Sequence, residues 1–177
     1  MPLTADAPRL FLAFPADELT GALNRLQDRL ALPGRRIPGR QFHLTLRFLG
    51  ELSATQSASL MKQLPLMTLP GFTLELNQLG SFPRAKVVWI GPTCIPDTLS
   101  RLHDDLTLRC HALRLGPPHK AFRPHITLFR HHSAVGLPPI SPIRYQPTRL
   151  CLYSSIQSEQ GPHYEILESW PLHTDEA

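Results

Sequence analysis

Phe42-His43-Leu44-Thr45-Leu46-Arg47-Phe48 is the stretch on which the fold turns, and His125-Ile126-Thr127-Leu128-Phe129 repeats its pattern. Both alternate with a period of two, the signature of a strand with one buried face. Gly50 closes the first and Pro124 opens the second, punctuation that suits strand ends. His43 and Thr45 then share one face while Leu44 and Leu46 enter the core. His125 and Thr127 stand outward in the same way, with Ile126 and Leu128 behind. Each strand presents an imidazole and a hydroxyl about 6–7 Å apart on a rigid backbone.

Nine histidines and twelve threonines in 177 residues give roughly 0.6 chance copies of His-x-Thr, and about 0.1 once the second and fourth positions must be apolar. One copy is most simply a half-buried core histidine. Two copies at matching places argue for a shared site.

Outward from these strands, Arg9–Phe14 reads as a strand ended by Pro15. From Asp17, a candidate N-cap, Leu19, Leu23, Leu26 and Leu30 have helical spacing. Ser53 and Gln56 stand in capping-box spacing before a helix with Leu60 and Leu64 on one face. Phe72–Leu79 and Lys86–Ile90 read as strands. Pro96 and Asp97 open a helix carrying Leu99, Leu102, Leu106 and Leu113, which Gly116-Pro117-Pro118 ends. Residues 137–147 read as an extended loop, and Arg149–Ile156 with Tyr164–Trp170 as a hairpin around Glu159-Gln160-Gly161. This order predicts an α+β fold with mainly antiparallel sheets. Its halves echo one another, since helix 17–31 precedes the first motif and helix 97–114 the second.

The chain is 42% hydrophobic and 18% charged, which suits one compact globular domain over residues 1–177. A net charge of +4 favours an anionic ligand. No apolar run is long enough to span a bilayer and no secretion signal is read in MPLTADAPRL, so a cytoplasmic location is expected and a membrane partner is not. Cys94, Cys110 and Cys151 have no Cys-x-x-Cys spacing and are expected reduced and buried. His-Glu-x-x-His and similar metal spacings are lacking, so neither a metal nor another cofactor is expected.

Two imidazoles facing one cleft suit acid–base catalysis near neutral pH, one neutral to take a proton and one charged to give it. The threonine hydroxyls can donate to the non-bridging oxygens of a phosphate between them. A phosphodiester fits, because its hydrolysis needs both activation of water and protonation of the leaving alkoxide. A 2′,3′-cyclic phosphate already holds its leaving group in place. No nucleophile elbow is present.

The twin motifs resemble those of the 2H phosphoesterase superfamily. The strings RLFLAF, FHLTLRFLGE, PGFTLEL, VVWIG and FRPHITLFR resemble the branch of bacterial RNA 2′,3′-cyclic phosphodiesterases, the LigT-like 2′-5′ RNA ligase family. The resemblance runs from about residue 9 to Tyr164–Trp170. It implies a bilobal body of pseudo-twofold symmetry, with helices packed outside antiparallel sheets and one motif from each lobe at a basic central cleft. It implies opening of terminal 2′,3′-cyclic phosphates of RNA to 2′-phosphates. His43 would be the proton donor, His125 the proton acceptor, and Thr45 and Thr127 the phosphate ligands. Strand joining by the reverse chemistry, as a 2′-5′ ligase, uses the same residues. A non-catalytic RNA-binding module is the alternative from another class. RNA or nucleotides with cyclic phosphate ends are the expected partners, and nothing demands a partner chain, so a monomer is expected.

Around the pair, Arg130 falls on the opposite face if its strand stays regular, but a strand ending at Phe129 would free it to bind phosphate; the family has a similar arginine. Arg47 is in register with His43 and should face the cleft or its rim. Phe48 or Phe122 could stack on a base, with core packing as the alternative. Arg35, Arg36 and Arg40 are candidates for a basic lip. His119, Lys120, Arg123, His131 and His132 flank the second motif without metal-ligand spacing. His103 and His111 are expected in solvent, and Trp89 and Trp170 in the core.

Overall fold

The computed structural model describes residues 8–116, 121–159 and 161–173. In chain order its elements are β1 (Arg9–Pro15), α1 (Thr20–Leu30), β2 (Arg35–Arg36), β3 (His43–Gly50), α2 (Ala54–Gln63), β4 (Leu74–Leu76), β5 (Gln78–Phe82), β6 (Val87–Gly91), α3 (Asp97–Ala112), β7 (Ile126–Arg130), β8 (Ile143–Tyr145), β9 (Arg149–Ser158) and β10 (Gly161–Pro171). The fold is α+β, and its strands pair antiparallel. The main sheet runs β10-β9-β1-β3-β7-β6-β5 with β2 added to β7, while β4 and β8 form a separate ribbon. Among the described residues no helix is long and apolar enough to cross a membrane.

Outward from the β3–β7 junction the sheet reads alike on both sides. β1, which precedes α1, flanks β3, and β6, which precedes α3, flanks β7. β1 pairs with β3 from Leu10 to Pro15, whereas β3 and β7 meet only where Leu44 lies opposite Ile126. Two half-sheets therefore join at one β3–β7 residue pair and, beside it, at the two pairs β2 makes with β7 through Arg35 and Arg36, and each motif strand forms the inner edge of its half.

Strand alternation sorts the two faces. Leu12, Phe14, Leu44, Leu46, Val88, Ile90, Ile126, Leu128, Leu150 and Leu152 share one buried cluster with Leu23 and Leu26 of α1, Leu60 of α2, and Leu99, Leu102 and Leu106 of α3. All three helices thus cover one face. Phe11, Ala13, Cys151 and Tyr153 form a second cluster on the other face, the one on which His43 and Thr45 stand.

Several local expectations are corrected. Asp17 does not cap α1; it opens a 3-10 turn, and the Thr20 hydroxyl donates to its carbonyl. Residues 72–79 are two strands in different sheets, because Asn77 turns the chain: its amide donates to the Thr93 hydroxyl and accepts from the Thr93 N–H. The 137–147 loop contains β8, tied down by the buried Tyr145 hydroxyl, which donates to the carbonyls of Phe14 and Pro15. His103 is 6% exposed and stacks on Phe122 at 4.1 Å, since it falls one turn after Leu99 on the buried side of α3. Cys94 is exposed, and Cys110 and Cys151 are buried; all three are free thiols. The Ser53–Gln56 capping box forms as expected. Pro117, Pro118, His119, Lys120 and Gln160 lie outside the described residues.

Candidate active site

Two β-bulges decide which side chains reach the site. On β3, Ala13 opposes Thr45 and Leu12 opposes Arg47, so Leu46 is an extra residue. On β7, Trp89 opposes Thr127 and Val88 opposes Phe129, so Leu128 is extra. An extra residue resets the alternation. Phe129 therefore turns inward and Arg130 returns to the face of His125 and Thr127. Arg47 turns the other way, onto α3, and donates to the Thr107 hydroxyl and the Leu115 carbonyl. Arg47 is not at the cleft. Phe48, next along, is on the site face, 60% exposed and 5.8 Å from the Phe11 ring. Phe48 and Arg130 thus occupy equivalent places on the two motif strands.

With Leu44 opposite Ile126 in an antiparallel pair, the flanking partners are crosswise: His43 faces Thr127 and Thr45 faces His125. Directly opposed side chains on one face have Cβ atoms roughly 4.5–5.5 Å apart, and diagonal ones roughly 7–8 Å. The two imidazoles are the diagonal pair. A small open pocket is walled by Ile37, Gln41, His43, Thr127, Arg130 and Tyr164, which brings together groups from both motifs and from β10.

Both rings are held alike. Nδ1 of His43 lies 2.7 Å from the Gln41 carbonyl, and Nδ1 of His125 lies 2.7 Å from the Arg123 carbonyl. A carbonyl only accepts, so each Nδ1 carries its hydrogen and each Nε2 is left to exchange protons. The His43 ring packs against Phe11 at 5.1 Å, Tyr153 at 5.6 Å and Tyr164 at 5.2 Å. His125 packs against Phe82 at 5.0 Å and Trp89 at 5.9 Å. Trp89 is therefore a wall of the site rather than core; its indole lies so close over Gly80 that a β-carbon there would overlap it. Trp170 packs against the core as expected.

Burial in these aromatic nests disfavours the charged imidazole. His43 is pulled down to about 4, by desolvation first and by the positive charges of Arg130 and His125 further, against the carbonyl bond from Gln41. His125 is also lowered, again by burial and then by Arg130. Arg130 donates from Nη2 to the Tyr164 hydroxyl at 3.0 Å, while its buried Nε has no protein partner among the described residues. Arg35 lies opposite Arg130 across β2 and β7, and like charges so placed repel. The site is short of negative charge.

Of the other expected residues, Arg36 is committed to α1 through Asp28 at 2.6 Å, and Arg40 is exposed in the 3-10 turn before β3. Arg123 serves through its carbonyl. Phe122 is taken by His103. His131 and His132 follow β7 outside the pocket, His131 exposed at φ 60°. Among the described residues no three His, Cys, Asp or Glu side chains cluster as metal ligands. Sequence reasoning missed Tyr164, because its place depends on β10 pairing with β9 and β9 with β1, which no local pattern reveals.

An antiparallel sheet bearing two crossed His-x-Thr pairs at its midline is the architecture of the two-histidine phosphoesterases. Residues 14–89 match the family model described as LigT-like phosphoesterase. An RNA 2′,3′-cyclic phosphodiesterase of Aeropyrum pernix is 31% identical over 84% of this chain and 94% of its own. One of Escherichia coli is 38% identical over 78% of this chain and 80% of its own. The crystal structure of E. coli LigT complexed with 3′-AMP superposes with a TM-score of 0.85 at 33% identity, covering 93% of this chain and 98% of that one. The chain belongs to the LigT-like phosphoesterase family.

Proposed function

We propose that this protein hydrolyses terminal 2′,3′-cyclic phosphates of RNA to 2′-phosphates, acting as one domain in which each half supplies one His-x-Thr motif. The observation that carries the reading is the crossing at Leu44–Ile126, which sets two imidazoles diagonally across a site where Thr127 and Arg130 meet His43. A cyclic phosphate lying over the crossing has one Nε2 on each side of phosphorus, as in-line displacement requires. Thr45, Thr127 and Arg130 hold the non-bridging oxygens. His125 takes a proton from water as its oxygen bonds to phosphorus. The phosphorus–O3′ bond breaks, and His43 delivers its proton to O3′. The product is a 2′-phosphate with a free 3′-hydroxyl, and the proton on His125 returns through solvent to His43.

Support for the substrate class comes from the E. coli and A. pernix relatives, named as RNA 2′,3′-cyclic phosphodiesterases. Phe48, exposed on the site face, offers a stacking surface for a base. Turnover of nucleoside 2′,3′-cyclic phosphates in the presence of EDTA, followed by phosphorus NMR, tests the reading. His43→Ala and His125→Ala should each lose about 10²–10⁴-fold. Full turnover in both variants, or a 3′-phosphate product, would refute it.

A further inference from the structure

Tyr164 belongs to neither motif, yet it stands where the phosphate must go. It comes from β10, two strands beyond β1 on the sheet path, and walls the pocket with His43, Thr127 and Arg130. Its ring meets His43 edge-on at 83° and Phe11 at 79°, contacts that fix its plane. Its oxygen accepts a hydrogen bond from Arg130 Nη2 at 3.0 Å. A phenol has one hydrogen to give, and among the described residues no protein acceptor takes this one. With its oxygen engaged by Arg130, the hydroxyl hydrogen is left to point into the pocket.

We propose that Tyr164 is a phosphate-binding residue of this site, donating its hydroxyl hydrogen to a non-bridging oxygen of the bound phosphate while its oxygen holds the Arg130 guanidinium beside it. The inference rests on the proposed reaction for the identity of the ligand. A donor of this kind adds charge-assisted binding, and the Arg130 bond polarises the phenol so that it donates more strongly. The site then draws on both halves of the sheet and on its terminal hairpin.

Tyr164→Phe keeps the ring and removes the hydroxyl. Inorganic phosphate binding, measured by titration calorimetry, should weaken about tenfold, and kcat/KM on a nucleoside 2′,3′-cyclic phosphate should fall about 10–100-fold. The aromatic NMR resonances of His43 should stay in place. The second arm uses Arg130→Gln as background. If Tyr164 only positions the arginine, adding Tyr164→Phe there changes nothing, and the proposal is overturned; a further loss of about fivefold or more supports it. Phosphate affinity and turnover both within twofold of the parent in Tyr164→Phe would also overturn it. If the parent binds phosphate but hydrolyses no cyclic phosphate, the proposed function fails while the calorimetric arm still judges Tyr164.

Discussion

An imidazole with a pKa of about 4 is almost wholly neutral at pH 7, yet the donor role proposed for His43 requires it to carry its proton into the reaction. The substrate supplies what the free site lacks: a phosphodiester anion offsets Arg130 and His125 and raises His43 again. The donor is needed charged, so activity is lost as pH rises through its pKa; the acceptor is needed neutral, so activity is lost as pH falls through its own. In the free enzyme both are lowered, so the kcat/KM profile should peak below pH 6.5. The kcat profile, which reports the complex, should lie at higher pH. Steady-state kinetics from pH 4.5 to 9 at fixed ionic strength decide this, and superimposable profiles contradict it. Phe48 yields a separate expectation. Stacking is worth about 1–3 kcal/mol per base, so Phe48→Ser should raise KM for nucleoside cyclic phosphates at least fivefold. KM for a base-free five-membered cyclic phosphate should not change.

At the scale of elements, the bulges at Leu46 and Leu128 carry the site's asymmetry, delivering Phe48 from one strand and Arg130 from the other. The Leu128 bulge has its own support. Gln27 of α1 is 1% exposed and donates to the carbonyls of Leu128 and Ile37 at 2.9 and 3.1 Å, while accepting from Arg36. Gln27→Met should cost about 1–3 kcal/mol, since the Ile37 carbonyl loses its side-chain donor while that of Leu128 keeps the Ile37 N–H, and should weaken phosphate binding through Arg130. Urea denaturation and calorimetry measure the two effects; unchanged phosphate affinity in a destabilised protein would show that Gln27 serves stability alone. The same bulges mark the limit of what was legible in the sequence. Alternation placed His43, Thr45, His125 and Thr127 on their faces because it holds up to the fourth motif position. Beyond it a residue is added, so Arg47 was placed on the wrong face and Arg130 reached the site by a route other than strand termination. His103 and Gln27 were both legible in principle, for each lies on the apolar side of its helix, four residues after Leu99 and Leu23. The division of 72–79 depended on a side-chain bond from Asn77 to a residue of another loop, which no local pattern contains.

For the whole molecule, the depressed histidines link protonation to folding. Unfolded, His43 titrates near 6.5 and takes up protons that the native state refuses until about pH 4. Its contribution to stability is therefore intact above pH 6.5 and lost progressively as pH falls to 4. Relative to His43→Gln, the parent should lose about 2–3 kcal/mol between pH 7 and 4.5, measured by denaturant midpoints. Equal pH dependence in the two proteins would contradict the burial of the ring. The joint between the half-sheets, one rung at Leu44 and Ile126 and two more where β2 lies along β7, has a mechanical consequence. Between β3 and β7 themselves there is no second rung, so the ladder is open on either side of Leu44 and Ile126. In the proposed site, a phosphate anchored to Thr45 on one strand and to Thr127 and Arg130 on the other would be a strut between them. Ligand at a hundred times its Kd adds about 2.7 kcal/mol, so amide hydrogen exchange at Leu44 and Ile126 should slow by up to about 100-fold in saturating phosphate. The substrate is then the second rung between the two strands that react with it.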